Sequence, residues 1–153
     1  MIDLIVKSIT KTLSDKFTNI SIINEDLQQN LPLPCFYVCV LNTSKKELLN
    51  DRFMLNVPLD IHYFASEKNK KSEINKISME LIKTLKILDL YKLNDSDVLE
   101  KVGSLKSFNI STEIVDNVLH FFIEFKPILN ILKVDDNKMD KIDHTVGVDN
   151  NGS

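Results

Sequence analysis

The chain reads as an α+β protein, a largely antiparallel sheet with two helices packed on one face. Three observations carry this reading. Residues 52 to 65 alternate over their whole length, one side wholly apolar and the other polar but for Met54, Pro58 and Phe64, which marks a long strand with one buried face. Ile2, Ile5, Val6, Ile9, Leu13 and Phe17 recur at three- and four-residue steps, the spacing of a helix with one apolar stripe. Ile74, Ile77, Leu81, Leu85 and Leu88 repeat that spacing further along.

In order, residues 2 to 17 form the first helix, with Lys7, Lys11, Ser14 and Asp15 on its wet side. "NISIIN" is a short β-branched strand, followed by the polar "EDLQQN". In "LPLPCFYVCVLN", Pro32 and Pro34 disfavour helix for the residues before them, and Phe36 to Leu41 is rich in strand formers. Cys35, Tyr37, Cys39 and Leu41 then share one face, and Phe36, Val38 and Val40 the other. "NTSKKELLND" reads as a polar loop.

On the long strand, Phe53, Leu55, Val57, Leu59, Ile61, Tyr63 and Ala65 point one way, and Arg52, Asn56, Asp60 and His62 the other. Pro58 lacks a ladder donor and implies an edge position or a bulge partway along. A helix is predicted over residues 70 to 89, then a connector, "YKLNDSDVLEKVG". Two strands follow, about 104 to 115 and 118 to 129, hinged at Asp116-Asn117. From Lys133 the sequence loses periodicity and reads as a disordered polar tail over 133–153, leaving 1–132 as a single domain.

Composition narrows the function. With 153 residues the chain suits one domain, and 43% hydrophobic with 27% charged residues is ordinary for a globular protein. A net charge of −3 argues against sequence-specific nucleic-acid binding. No apolar run approaches the roughly 20 residues of a membrane span. Asp3, Lys7 and Lys11 break up any secretory leader, so the expected compartment is a reducing cytoplasm. Phosphate-loop, dinucleotide, zinc-protease and nucleophile-elbow signatures are absent from the sequence. We therefore expect no catalytic residues, no cofactor and no metal.

Two residue groups are weighed for chemistry. Cys35 and Cys39 are the only cysteines. Four residues apart on a strand they lie about 13 Å apart, whereas a disulfide needs Cα atoms within about 7 Å, so they read as buried small hydrophobes. Asp60 and His62 share the polar face of the long strand, and His120 and Glu124 that of the last one. If those strands are neighbours, Asp60, His62 and His120 cluster in the manner of a small metal- or ligand-binding enzyme. Alternating strands place polar residues on the solvent face in any case, and that plainer reading is preferred. His144 falls in the tail and carries no role.

The long strand exceeds the usual 5–6 residues or so, so a β-hairpin is expected to project beyond the sheet. Leu48 and Leu49 are odd choices for a loop that meets only water, and projecting hairpins join subunits. The expected contact residues are Lys45, Lys46, Leu48, Leu49 and Arg52.

Gln28, Pro34, Phe36, the strand around Leu59 to Tyr63, and "VDNVLHFFIEF" together carry a resemblance. Over about residues 1 to 130 the chain resembles the tail-terminator (tail-completion) proteins of contractile-tailed phages and phage-tail-like bacteriocins. The resemblance implies a homo-oligomeric ring, commonly hexameric, that caps the head-proximal end of the tail tube and stops its polymerisation. Tube, sheath and collar or neck proteins are the implied partners, with assembly in the host cytoplasm. A neck or head-to-tail connector component is the alternative within the same class.

Overall fold

The computed structural model describes residues 1–23, 30–66 and 70–131. Their order is α1 (Ile2–Lys16), β1 (Ser21–Ile23), β2 (Cys35–Val40), β3 (Ser44–Leu48), β4 (Arg52–Phe64), α2 (Lys70–Thr84), β5 (Ile87–Leu93), β6 (Leu99–Val115), β7 (Val118–Phe125) and β8 (Ile128–Asn130). Among the described residues the strands form one mixed sheet in the order β1-β2-β4-β7-β6-β5, with β3 and β8 flanking the first part of β4. Only the β1–β2 pair is parallel. The predicted α+β class, mostly antiparallel with two helices, is the observed one. The polar tail over 133–153 lies outside the described residues.

The apolar stripes decide the layering. Ile5, Ile9 and Leu13 of α1 and Ile74 and Leu81 of α2 are buried against one sheet face. That face is built from Phe36 and Val38, from Val57, Leu59, Ile61 and Tyr63, and from Leu119, Phe121, Ile123 and Phe125. Every second residue of β4 and β7 is thus committed to the core, as the period-2 pattern of each strand dictates. Burying each such side chain stabilises the fold by about 1.5–3 kcal/mol. Phe36 sits between Phe17 and Tyr63, 5.2 Å from each ring centre, and ties the end of α1 to β2 and β4.

One buried polar contact fixes α1 on the sheet. The β5–β6 register slips between Leu90 and Tyr91, and the Tyr91 N–H donates to the buried Ser8 Oγ of α1 at 3.0 Å. Without Ser8 this amide would lose its partner at the slip.

Four expectations need correction. The helix predicted to residue 89 ends at Thr84, and Ile87–Leu93 is a strand. Leu81, Leu85 and Leu88 are all buried, but the stripe passes from helix to strand, where Leu88 and Leu90 alternate with more exposed neighbours. The supposed connector is the end of β5, a turn and the start of β6; Asn94 Oδ1 accepts the Ser96 and Val98 amides at 2.9 and 3.0 Å. The polar loop at 42–51 contains β3, whose five residues pair with β4 from Ser44↔Asn56 to Leu48↔Arg52.

The last strand is interrupted at Lys126-Pro127, yet β8 continues the β7 line along β4 in unbroken register, bridged by a bond from the Leu55 N–H to the Pro127 carbonyl. As for Pro58, β4 is bordered on both sides and the edge alternative falls away. The irregularity lies in the neighbouring line and not in β4 itself: from Val40 to Ser44 the chain advances four residues while its partners advance three, from Leu59 to Asn56. Pro58 lies opposite that slip, where the ladder is already broken and only its carbonyl is used, by the Leu41 N–H.

Candidate functional site

Two features distinguish the surface. The first is the far end of the β3–β4 hairpin. Leu48 and Arg52 close it, and Asn50 and Asp51 take left-handed φ values of 62° and 55° to turn the chain. Leu49 stands at the tip, 82% exposed, and the Arg52 Nε–H donates to its carbonyl at 3.3 Å.

Strand geometry splits the expected contact set. Lys45 and Glu47 register with Leu55 and Phe53 on the helix-covered side. The Lys45 ammonium lies 2.9 Å from Glu47 Oε1 and 4.9 Å above the Phe53 ring. Lys46, Leu48 and Arg52 take the opposite side with Met54. The structure therefore brings Lys46, Leu48, Leu49 and Arg52 together around the tip and turns Lys45 away from them.

Sequence reasoning predicted a strand over about 104 to 115 but missed that β6 starts at Leu99 and is exposed on both faces for much of its 17 residues. Val102, Phe108, Ile114 and Val115 are exposed along it, with Leu93, Val98 and Leu99 at its start. The signal was present in the placement of the apolar residues between 98 and 115: Val98, Val102, Phe108, Ile110 and Ile114 fall on even positions and Leu99, Leu105 and Val115 on odd ones, so one buried face cannot take them all. A neighbouring groove of about 660 Å³ between α1 and β5 is lined by Leu4, Lys7, Lys11, Tyr91, Leu93 and Leu99 among others.

The second feature lies on the sheet face away from the helices. β4 and β7 are neighbours, and His62 registers opposite His120. Asp60 Oδ2 lies 2.9 Å from His62 Nε2 and 2.9 Å from His120 Nδ1. Asp60 is only 6% exposed although no helix covers it. Tyr37 and Phe64 flank the His62 ring, and Phe122 stacks near His120.

Burial pushes the Asp60 carboxyl upward, but hydrogen bonds from both imidazoles and their charge outweigh it, holding the group below the usual carboxylate range. An ionised carboxylate only accepts, so the protons reside on His62 Nε2 and His120 Nδ1. Asp60 Oδ1 is buried and has no partner among the described residues. Beside this cluster Glu124 accepts from Asn56, at 2.9 Å, and from Asn109. The conditional cluster of Asp60, His62 and His120 is thus assembled, while Glu124 belongs to a separate amide network.

The cysteines are free. Cys35 is buried, with burial raising its thiol, and Cys39 registers opposite Asp60. Among the described residues no helix is long and apolar enough to cross a membrane.

No curated protein is similar enough to be matched to the chain. A family model described as phage tail terminator protein matches residues 4–139, which spans both helices, the whole sheet and the hairpin. The chain belongs to the phage tail terminator protein family, and is a structural component of a phage tail.

Proposed function

We propose that the protein closes into a ring, most simply a hexamer, that caps the head-proximal end of the tail tube. The ring ends tube and sheath polymerisation and offers its outer surface to collar or neck proteins. This reading rests on membership of the family together with one observation: the hairpin tip presents Leu49 almost fully to solvent, ahead of a turn held by Arg52. An apolar tip on one side of a protomer and an apolar groove between α1 and β5 on another are two halves of a head-to-tail contact. Repeated by rotation, such a contact closes a ring rather than a two-fold dimer. The work is mechanical, and no substrate is turned over.

Light scattering on the purified full chain, followed by negative-stain imaging, tests the ring. Closed particles of one defined size are expected, reduced to monomers by Leu49→Asp or Leu99→Asp. A wild-type chain that stays monomeric and does not join tail tubes refutes the proposal. Rings found between capsid and terminator, and never on the tube, would make the protein a neck connector instead.

A further inference from the structure

We propose that Asp60, His62 and His120 form a binding site for one divalent transition-metal ion of the zinc class, stapling β4 to β7 on the outer sheet face. Three observations converge on it. Asp60, His62 and His120, on two adjacent strands, each offer one donor atom, and these atoms lie within 4.8 Å of one another. Around a tetrahedral ion with bonds of about 2.0–2.1 Å, neighbouring donors stand about 3.3 Å apart. The two oxygen–nitrogen separations of 2.9 Å need open by only a few tenths of an ångström.

The second observation is an imbalance in the carboxylate. Oδ2 takes both imidazole N–H groups, while the buried Oδ1 takes none among the described residues. An unpaired buried oxygen is costly, and a cation that takes Oδ1 together with Oδ2 satisfies it without a new donor. The third is the chemistry of the set. Two imidazoles and one carboxylate suit zinc and its transition-metal neighbours, whereas calcium and magnesium call for oxygen donors alone. On binding, the proton on each imidazole nitrogen facing Asp60 passes to the other ring nitrogen or to solvent, and the freed lone pair goes to the ion. Both rings remain partly accessible, so the ion has a route in and water can complete its shell.

The site does not depend on ring formation. Its test uses the full chain, stripped with chelator and titrated with zinc alone by calorimetry, with bound zinc counted by elemental analysis. One ion per chain is expected, with a rise in Tm. His62→Gln, His120→Gln and Asp60→Asn each weaken binding at least tenfold, while His144→Ala and Cys39→Ser do not. Zinc-edge anomalous diffraction from wild-type crystals supplies a check that needs no variant, and density among the three side chains is expected. Absence of saturable zinc binding, full binding by the His62→Gln/His120→Gln double variant, or anomalous density only elsewhere overturns the proposal.

Discussion

Glu73 holds the junction between the long strand and the second helix, and removing it tests how that helix is kept on the sheet. Its Oε2 accepts the Tyr63 hydroxyl and the Ser66 backbone N–H, both at 2.8 Å, and its Oε1 accepts the Ser66 hydroxyl. Glu73 also lies in the first turn of α2, where the helix dipole favours negative charge. In Glu73→Ala the Tyr63 hydroxyl loses its acceptor in a site where the residue is 1% exposed. One buried orphan costs about 1–3 kcal/mol, and the Ser66 amide adds to it, so a loss of about 3 kcal/mol is expected. With a urea m-value of about 2 kcal/mol/M, the unfolding midpoint falls by about 1.5 M.

Glu73→Gln keeps the shape and loses the charge, and should cost about 1 kcal/mol. The pH dependence has a definite sign. Burial raises the Glu73 carboxyl, but the bonds from Ser66 and Tyr63 prevail and lower it from 4.5. The stability it supplies is complete above 4.5 and is lost as pH falls through the lowered native value. Urea titrations of wild type and Glu73→Gln should therefore diverge at pH 7 and converge in acid. A Glu73→Ala midpoint close to wild type, or a gap between wild type and Glu73→Gln that is the same in acid, would refute this clamp.

Other consequences are equally direct. Ser8→Ala strands the Tyr91 amide beneath α1 and should cost about 1–3 kcal/mol by urea denaturation, with Ser8→Thr unable to restore it without crowding the core. Asp116 and Asn117 both have positive φ, 50° and 62°, so Asn117→Gly should leave stability unchanged or raise it by up to about 1 kcal/mol, whereas Asn117→Val should lower it by about 1–2 kcal/mol. Phe121→Ala, at a fully buried position in the core, should cost about 3–5 kcal/mol in the same assay. Leu49→Asp should leave the unfolding free energy within about 0.5 kcal/mol of wild type while abolishing self-association in light scattering.

The parts of this fold legible in sequence are those where local pattern and tertiary burial agree. β4 alternates because one face meets the helices, and α1 carries a full apolar stripe because one side meets the sheet. Asp116-Asn117 marks its hairpin because few residues tolerate two successive left-handed conformations. β3 was hidden for the opposite reason: Ser44–Leu48 is polar and exposed on both sides, and only its ladder to β4 makes it a strand. The helix-to-strand change after Thr84 was masked by Leu81, Leu85 and Leu88, whose spacing continues the helical period across the break. Asp60, His62 and His120 could be named from strand alternation, but their convergence depends on β4 and β7 being neighbours, a pairing between residues about sixty positions apart. The shared proton acceptor and its idle second oxygen have no counterpart in sequence at all.

As proposed above, this chain ends tube growth by capping the tube. Purified tail-tube protein polymerising in the presence of increasing amounts of the full chain, with tube lengths and ends scored by negative-stain electron microscopy, addresses it most directly. Shortened tubes carrying a ring at one end are expected, and normal lengths with bare ends when Leu49→Asp replaces the wild type. Tubes that lengthen unchecked and end bare in the presence of excess wild-type protein would contradict it.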